Sequence, residues 1–410
     1  MSTDTKGTQV ATGGAAGITL SGDGRYLAFS SPAYNLVESD TNSAADMFVR
    51  DRQTGDLIRV SVNSAGVQGN ANSASGMISA DGRYVAFVSS ATNLVAGDTN
   101  GTADLFVHDL QTGQTTRVNL GSTGQQSNGS LPASPSISAD GRYITWNTNS
   151  TNLVPADTTP DTDVYVRDTV AGTTALVSVS SAGVKGNGDS SAPSISADGR
   201  YITFSSLAGN LVAGDTNGTS DLFLHDMQTG QTMRVNVNNN GDQAVGAQPT
   251  TAALSADGRY VVWSSVATNL VAGDTNASRD VFRRDLVSGV TTRVNVTPAG
   301  GQSAGDLAAF TIRVTVSADG RYVSFNSAAT DLVAGDTNDT ADAFVRDMVA
   351  GQTTRVNVGN AGEQSNGTAT AQAPVMSDDG RYVAWSSNAT NLVAVDQNGT
   401  LSDVFLRRLL

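Results

Sequence analysis

The feature that most constrains the fold is a unit of sequence that recurs seven times. Each copy carries Asp-Gly-Arg-Tyr, and its Asp falls at positions 23, 81, 140, 198, 257, 319 and 379, in steps of 58, 59, 58, 59, 62 and 60 residues. A unit this small cannot bury its own apolar face, so neighbouring copies must pack on one another. The repeat therefore predicts a solenoid or a propeller formed by a single domain spanning residues 1–410.

Each unit contains four segments in which apolar and polar residues alternate, a pattern typical of half-buried strands. In the second copy these segments lie near 73–79, 83–89, 104–109 and 115–120. Asp81-Gly82 joins the first two segments, and this dipeptide favours a tight hairpin. A long loop, residues 90–103, separates the second and third segments, and a Gly- and Ser-rich connection, residues 121–130, leads to the next copy. Short turns and long loops are therefore expected at opposite ends.

Four antiparallel strands per unit, without a helical segment, predict an all-β, seven-bladed antiparallel propeller, because a closed ring leaves few sheet edges exposed. The seventh copy ends at its third strand, and the N-terminal segment Thr5-Lys-Gly-Thr-Gln-Val-Ala-Thr resembles a fourth strand. We therefore expect an N-terminal strand to close the last blade. The predicted blades span about 15–62, 73–120, 133–179, 192–237, 251–296, 312–358, and 372–410 with 5–12.

The recurring residues also resemble a known family. Ser-Ala-Asp-Gly-Arg-Tyr-Val-Ala-Phe, then Asp-Leu-Phe-Val-His-Asp, Thr-Gly and Thr-Arg-Val, are similar to the repeat of TolB-type β-propellers, relatives of the WD-type repeats. The resemblance covers nearly the whole chain and implies the propeller fold. This chain departs from the family in two ways: Ala, Gly or Asp stands where the family usually has Pro before the Asp-Gly turn, and the loop between strands two and three is longer.

Composition excludes some classes of partner. A formal charge of −14 and a pI near 4.4 disfavour nucleic acids and anionic membranes, which need Lys and Arg. The sequence shows no long apolar run and no signal peptide, and its lack of cysteine excludes disulfides and thiolate metal sites. We expect a monomer without membrane insertion, of bacterial origin and extracytoplasmic or secreted.

The sharpest motif lies in the long loop, where Asp98, Asn100 and Asp104 stand at positions one, three and seven. Ca²⁺ prefers six to eight oxygen ligands, and a turn rich in Asp, Asn and Gly can supply several of them. Turns capped by the same side chains without a metal are the alternative. We predict up to one Ca²⁺ per blade. The further candidate ligands are Asp40, Asn42, Asp46, Asp157, Asp161, Asp163, Asp215, Asn217, Asp221, Asp274, Asn276, Asp280, Asp336, Asn338, Asp342, Asp396, Asn398 and Asp403.

A second recurring feature is Gly-x-Gln in the connection after strand four, with Lys replacing Gln in the third copy. These side chains are expected on the same face as the long loops, where they either satisfy loop backbone groups or contact a ligand. The candidate ligand-binding residues are Gln68, Gln126, Lys185, Gln243, Gln302 and Gln364.

No catalytic constellation is visible in the sequence. His108 and His225, the only histidines, occupy a position where other copies carry Arg, and no nucleophile elbow, P-loop or His-Glu-x-x-His motif is present. We therefore expect a non-catalytic binding or structural module, calcium-stabilised, that recognises a protein, peptide or glycan through its long-loop face. The alternatives are a hydrolase or lyase with its site in the central funnel, or an engineered repeat scaffold without a natural ligand.

Overall fold

The computed structural model describes residues 2–130, 135–246, 249, 252–305, 313–368 and 374–409. These residues form seven small antiparallel sheets and no helix. The first strand of each sheet contacts the first strand of the next, and the last contacts the first, so the sheets close into a ring. The predicted seven-bladed propeller is confirmed.

Each blade takes its strands in sequence order from the axis outward. The inner strands are β1 (Ala16–Leu20), β5 (Ser73–Ile78), β9 (Ser136–Ile137), β13 (Ser190–Ile195), β17 (Ala253–Leu254), β21 (Thr315–Val316) and β25 (Val375–Met376). The second strands are β2 (Tyr26–Ser31), β6 (Tyr84–Ser89), β10 (Tyr143–Thr148), β14 (Tyr201–Ser206), β18 (Tyr260–Ser265), β22 (Tyr322–Ser327) and β26 (Tyr382–Ser387).

The third strands all begin at the last Asp of the long loop. They are β3 (Asp46–Asp51), β7 (Asp104–Asp109), β11 (Asp163–Asp168), β15 (Asp221–Asp226), β19 (Asp280–Asp285), β23 (Asp342–Asp347) and β27 (Asp403–Arg408). Six blades have a fourth, outer strand: β4 (Leu57–Arg59), β8 (Thr115–Arg117), β12 (Thr173–Leu176), β16 (Gln231–Arg234), β20 (Val290–Arg293) and β24 (Gln352–Arg355).

The core lies between blades, as expected from the alternation of apolar residues in each strand. Seven clusters of buried apolar side chains are each shared by two neighbouring blades. Within every blade, an aromatic ring of strand two packs on one of strand three, as Phe87 does on Phe106, with ring centroids 5.7–5.9 Å apart. Large buried aromatics supply much of the apolar area that holds such layers together.

The Asp-Gly turn between the first two strands also contacts the neighbouring blade. In blade three, the Ser138 hydroxyl donates to Asp140 (2.7 Å) and accepts from the Tyr143 N–H (2.9 Å), which fixes the turn. Gly141 has a φ of +73° and lies against the ring of Tyr84 in blade two. The same contact between a turn glycine and a tyrosine recurs at all seven blade boundaries.

A closed ring of backbone hydrogen bonds links these turns around the axis. The residue before each Asp-Gly donates its N–H to the carbonyl of the equivalent residue in the next blade, except that Asp81 is the donor in blade two. The bonds measure 2.9–3.1 Å, and the last of them, from Asp378 to Gly22, spans the first and last blades. We call this feature the turn ring.

The N-terminal segment reaches blade seven, as expected, and helps to close the propeller there. Ser2 donates its hydroxyl to Asp403 (2.7 Å), and Ala15 donates its N–H to Ser402 (2.9 Å). Residues 5–12 do not pair with β27 as a fourth strand, however, and the described sheet of blade seven has three strands. The bridge between Thr3 and Gln9 instead matches the bridge that follows strand four in the other blades. We had expected residues 5–12 to form strand four. Residues 3–9 instead correspond to the connection that follows strand four in the other blades.

Candidate functional site

The long loops and the connections between blades meet at one end of the propeller, which we call the long-loop face. In blade two, Gln126 of the connection donates to the carbonyl of loop residue Gly97 (2.6 Å). Asn93 of the same loop donates to the carbonyl of Gln68 in the preceding connection (2.9 Å). Equivalent Asn side chains make this second contact in blades one, three, four, five and seven. The face is therefore a continuous belt of loops.

Each predicted calcium loop in blades one to six places its first Asp and its strand-starting Asp next to a basic side chain. In blade two, the carboxylates of Asp98 and Asp104 are buried, and the guanidinium of Arg117 lies 3.5 Å from the first and 3.4 Å from the second. Four other blades repeat this arrangement at 3.0–3.6 Å through Arg59, Arg234, Arg293 and Arg355. A strand-four arginine therefore stands where the sequence predicted a metal ion.

In blade three, a lysine from the connection takes the place of the strand-four arginine beside the carboxylates. Leu176 occupies the strand-four position of the arginine, and Lys185 replaces the connection Gln. The Lys185 ammonium lies 2.7 Å from Asp163 and 3.5 Å from Asp157, with Asp161 at 3.8 Å. Blade two has Arg117 and Gln126 where blade three has Leu176 and Lys185. In both blades, one basic side chain lies beside the pair of carboxylates.

The predicted Asn and Gln ligands are engaged within the belt. Asn100 accepts a hydrogen bond from the N–H of Thr102 (3.2 Å) and directs its amide N–H groups at Asp104 (3.0 Å) and the Ser127 carbonyl (3.3 Å). Gln68 and Gln243 donate to both carboxylates of their blades at 2.8–2.9 Å. Gln302 and Gln364 donate to the first Asp of theirs. These side chains fix the loops around each carboxylate pair.

This geometry gives calcium no support. Among the described residues, no group of three or more His, Asp or Glu side chains is arranged to hold a metal ion. An arginine or lysine beside the pair would also repel a second cation, since like charges a few ångströms apart disfavour each other. Burial raises the pKa of Asp98, Asp163 and Asp336, which makes each pair depend on its basic partner. The calcium ligands named from the sequence remain predictions.

The inner strands enclose a narrow channel of about 120 Å³ at the axis of the propeller. Its described lining comes from all seven blades and is mostly apolar or small, including Ile18, Pro135, Pro193 and Val314. Arg313 is the one ionisable side chain among these lining residues. It precedes β21 and therefore lies toward the long-loop face. Burial lowers the pKa of its guanidinium. Arg313 was not among the residues predicted from the sequence, because it lies between repeated motifs.

The two histidines lie between blades. His108 is buried and its Nδ1 is 2.8 Å from the hydroxyl of Thr115, which donates in turn to the carbonyl of Val62 in the preceding blade. His225 has the same surroundings, with Thr232 as its partner. Burial lowers the pKa of both rings, which favours neutral imidazole at physiological pH. These positions join neighbouring blades and do not line the channel.

At the opposite end, which we call the short-turn face, the Arg of Asp-Gly-Arg-Tyr forms a bidentate pair with the last Asp of strand three in blades one to six. Arg142 lies 2.6 Å from Asp168, and its guanidinium also packs over the ring of Tyr143. The hydrogen bonds from arginine hold the pKa of Asp51, Asp168 and Asp347 to about 2. In blade seven, Arg408 stands at the position of this Asp.

The pairs of the short-turn face predict how stability depends on pH. A carboxyl whose folded pKa is depressed stabilises the fold above its unfolded pKa of about 3.9, and this contribution is lost as the pH falls toward the folded value. Carboxyls whose pKa is raised by burial act in the opposite direction. We therefore expect the urea concentration at the midpoint of unfolding to stay constant on acidification to about pH 4. It should then fall steeply between about pH 4 and pH 2.

The variant R142Q should reduce this acid loss by the share of one of the six pairs, because it removes the partner of Asp168. R381Q is the matched control, since Arg381 occupies the same turn position but, among the described residues, forms an ion pair only with the exposed Asp379, at 3.7 Å. A steep acid transition that R142Q leaves unchanged would contradict the assignment of this loss to the Arg–Asp pairs.

No protein-family model matches the sequence, and no curated protein matches it. Solved structures do. The chain is similar to an oligogalacturonate lyase in complex with manganese, at 13% identity over 96% of this chain and 88% of the other, with a TM-score of 0.57. It is also similar to the acylaminoacyl peptidase of Pyrococcus horikoshii, at 12% identity over 99% of this chain and 53% of the other, with a TM-score of 0.56.

The chain is a seven-bladed β-propeller. A third similar structure is TolB from Acinetobacter baumannii, at 16% identity over 93% of this chain and 83% of the other, with a TM-score of 0.42. The propeller fold implied by the TolB-type resemblance is confirmed by the seven sheets of this chain. In the described part of the chain, no helix is long and apolar enough to span a membrane.

The comparisons correct one expectation. We expected that the chain is not an enzyme, but the propellers with the higher TM-scores include a lyase and a peptidase. The absence of a known motif does not exclude catalysis, because a catalytic site can be built from residues without a recognisable spacing. At 12–13% identity the likeness shows the fold and transfers no activity. The manganese of the lyase does not fit the described residues here, which form no metal-ligating group.

Proposed function

We propose that the propeller binds an acidic carbohydrate at the long-loop end of its central channel, with Arg313 as the group that recognises a carboxylate. The observation that carries the proposal is the position of this arginine. It is the one ionisable side chain among the described residues that line the channel, and the other lining residues include Val314, Thr315, Pro193 and Ala252. A partly desolvated guanidinium gains strongly from a carboxylate partner.

Arg313 also breaks the sevenfold repetition. Arg313 lies four residues before the Ser of its Asp-Gly turn. The described residues at the same position in other blades are Gly17, Ser75 and Ala192. The remaining copies carry Ser134, Thr251 and Ala373 in sequence. A repeated scaffold needs no charge at this position, so the exception is explained best by recognition.

The size of the channel limits which part of a ligand can enter. Small-molecule sites usually have a volume of about 300–1,000 Å³, whereas this channel has about 120 Å³. We therefore expect a carboxylate to be the part of the ligand that enters this channel, with the sugar ring outside it. The lyase of similar fold, described as an oligogalacturonate lyase, supports a polymer of uronic acid as the ligand class. An extracytoplasmic, bacterial location remains part of the proposal.

The test is calorimetric titration of the full chain with trigalacturonate and with the neutral galactose trimer. We expect trigalacturonate to bind and R313M to weaken its binding by about tenfold or more, which corresponds to about 1.4 kcal/mol. R381M is the matched control, because Arg381 is exposed on the short-turn face. Equal affinity of R313M and the wild type, or equal binding of the neutral trimer, would contradict the proposal.

The same mixtures should be analysed for cleavage of the sugar chain. Cleavage that R313M abolishes and R381M retains would extend the proposal from binding to catalysis at this channel. Cleavage that R313M leaves intact would place the site elsewhere and count against Arg313.

A further inference from the structure

A cavity of about 420 Å³ opens on the short-turn face between blades three and four. Its walls include Tyr143, Val166 and Ala175 of blade three, and Gly199 and Met227 of blade four. Small-molecule sites usually have a volume of about 300–1,000 Å³. The cavity is therefore large enough to hold a small ligand or one side chain of a partner.

The space exists because the outer strand of blade three has a small residue at this point. Ala175 lies opposite Val166, whereas in blade four the long side chain of Met233 lies opposite Leu224. The other four outer strands have Ile58, Thr116, Thr292 and Thr354 at this position. Ala175 is therefore the smallest of the six residues, and the room that a larger side chain would fill belongs to the cavity.

At two other blade boundaries, an arginine fills the equivalent place. Between blades five and six, Arg283 lies over the ring of Tyr260, at 4.6 Å, and donates to the carbonyl of Gly320 (2.7 Å). Between blades seven and one, Arg52 lies over the ring of Tyr382, at 4.3 Å, and donates to the carbonyl of the turn glycine in blade one. A guanidinium is thus held twice in this molecule by a strand-two tyrosine and a turn glycine.

The cavity presents the same ring and the same turn glycine, Tyr143 and Gly199, without either of those two arginines. Val166 occupies the strand-three position of Arg283. Met227 occupies the hairpin position of the arginine from blade one. Both residues are apolar and line the cavity. The cavity therefore coincides with the place that a guanidinium takes at the other two boundaries.

The charges around the cavity favour a cation. Asp168 and Asp198 both line it, as does Arg200. Asp168 pairs with Arg142 (2.6 Å) and Arg200 pairs with Asp226 (2.7 Å), so the charges of these two lining residues are balanced. Asp198 is exposed, forms no ion pair among the described residues, and accepts its two hydrogen bonds there through Oδ1. Its Oδ2 is therefore available to a positively charged donor.

We propose that this cavity binds the guanidinium group of a ligand, over the ring of Tyr143 and hydrogen-bonded to the carbonyl of Gly199 and the carboxylate of Asp198. The face of an aromatic ring attracts a cation, and guanidinium offers several N–H donors in one plane. Arg142 also lies over this ring, at 4.9 Å, but the equivalent ring in blade five contacts two arginines at once, at 4.6 and 4.9 Å. The site lies at the opposite end from Arg313 and is independent of the carbohydrate proposal.

The experiment uses the full chain with ¹³C-labelled methionine methyl groups, and N-acetyl-arginine methylamide as the ligand. Met227 lines the cavity and therefore reports on its occupation. Met348 is its counterpart at the boundary of blades five and six, where Arg283 already fills the place. We expect the ligand to shift the NMR signal of Met227, identified by its loss in M227L, and to leave the signal of Met348 unshifted.

The matched control ligand is the citrulline analogue, which has the shape of arginine but no charge. The arginine ligand should bind about tenfold or more tightly, because only a cation gains from the ring and from a charge-assisted hydrogen bond. A capped Gly-Gly-Arg-Gly-Gly peptide distinguishes two sources of the group. Tighter binding of the peptide than of capped arginine would assign an arginine of a protein partner, and equal binding would assign a free guanidinium compound.

Two variants fill the cavity with residues that this chain uses at other boundaries. V166R copies blade five, where Arg283 lies over the ring, and A175M copies blade four, where Met233 lies opposite strand three. Both should abolish the shift that the ligand causes. T354M is the matched control, since Thr354 is the counterpart of Ala175 in blade six, and it should bind as the wild type does. Thermal unfolding checks that each variant is folded.

Three outcomes would overturn the proposal. The first is equal affinity for the arginine ligand and the citrulline analogue, which would show that charge is not recognised. The second is a Met227 signal that millimolar arginine ligand leaves unshifted, or shifts no more than the signal of Met348. The third is binding that persists in both V166R and A175M, or in whichever of the two is folded, since a filled cavity cannot hold the ligand.

Discussion

Replacing Arg117 by leucine is expected to destabilise the propeller by about 3–5 kcal/mol, the usual cost of removing one partner of a buried ion pair. The side chain of Arg117 is 5% exposed, and those of Asp98 and Asp104 are 4% and 0% exposed. R117L leaves these two carboxylates buried without their cation. The change in the free energy of unfolding can be measured by urea titration at neutral pH.

The double variant R117L/Q126K should recover most of this loss, because it transplants the arrangement of blade three. There, Leu176 occupies the arginine position and Lys185 lies 2.7 Å from Asp163. Q126K alone is the control, since it places two cations beside one pair and should not stabilise the chain. Recovery by the double variant separates loss of charge from loss of packing. A double variant as unstable as R117L would show that the cation is not what the pair requires.

The second large effect is expected at the glycines of the Asp-Gly turns. G141A should destabilise the chain in two ways. A φ of +73° costs a residue with a Cβ about 1–2 kcal/mol, and the added methyl group would collide with the ring of Tyr84 in the neighbouring blade. Overpacking of this kind costs about a further 1–3 kcal/mol.

G113A isolates the contact between blades. Gly113 has the same φ of +73°, but a Cβ at this position would meet no atom within 4 Å. The difference between the two variants therefore measures the collision with Tyr84 alone. Equal destabilisation in thermal or urea unfolding would mean that blades two and three can separate at this turn without cost.

The fold could be predicted from the sequence because its signals are local and repeated. Period-two alternation and the Asp81-Gly82 turn specify each hairpin, and the count of copies specifies the ring. The position of the N-terminal segment was harder, since Thr5 to Thr12 shares small polar residues with both strand four and the connection after it. Only the bridge between Thr3 and Gln9 decides the register.

The candidate site was predictable only in part. Spacing grouped Asp98 with Asp104 as metal ligands, but spacing does not show which cation lies beside them, and the structure places Arg117 there. That information lay in another segment, in the exchange of Arg117 and Gln126 for Leu176 and Lys185 between copies. Arg313 could not be assigned from periodicity, because a repeat pattern describes the positions that recur and is silent about an exception.

The turn ring has a consequence for how the propeller is held at its chain ends. A helix or an open sheet has end groups without partners, whereas seven bonds that run head to tail around the axis have no first or last member. Every donor in this circuit must keep its N–H, and proline has none. In six blades the donor is the residue before Asp-Gly, so a proline at this position would interrupt the circuit. The circuit is continuous from Asp378 to Gly22 at 2.9 Å. The boundary between blades seven and one is therefore joined on the short-turn face in the same way as the other six boundaries.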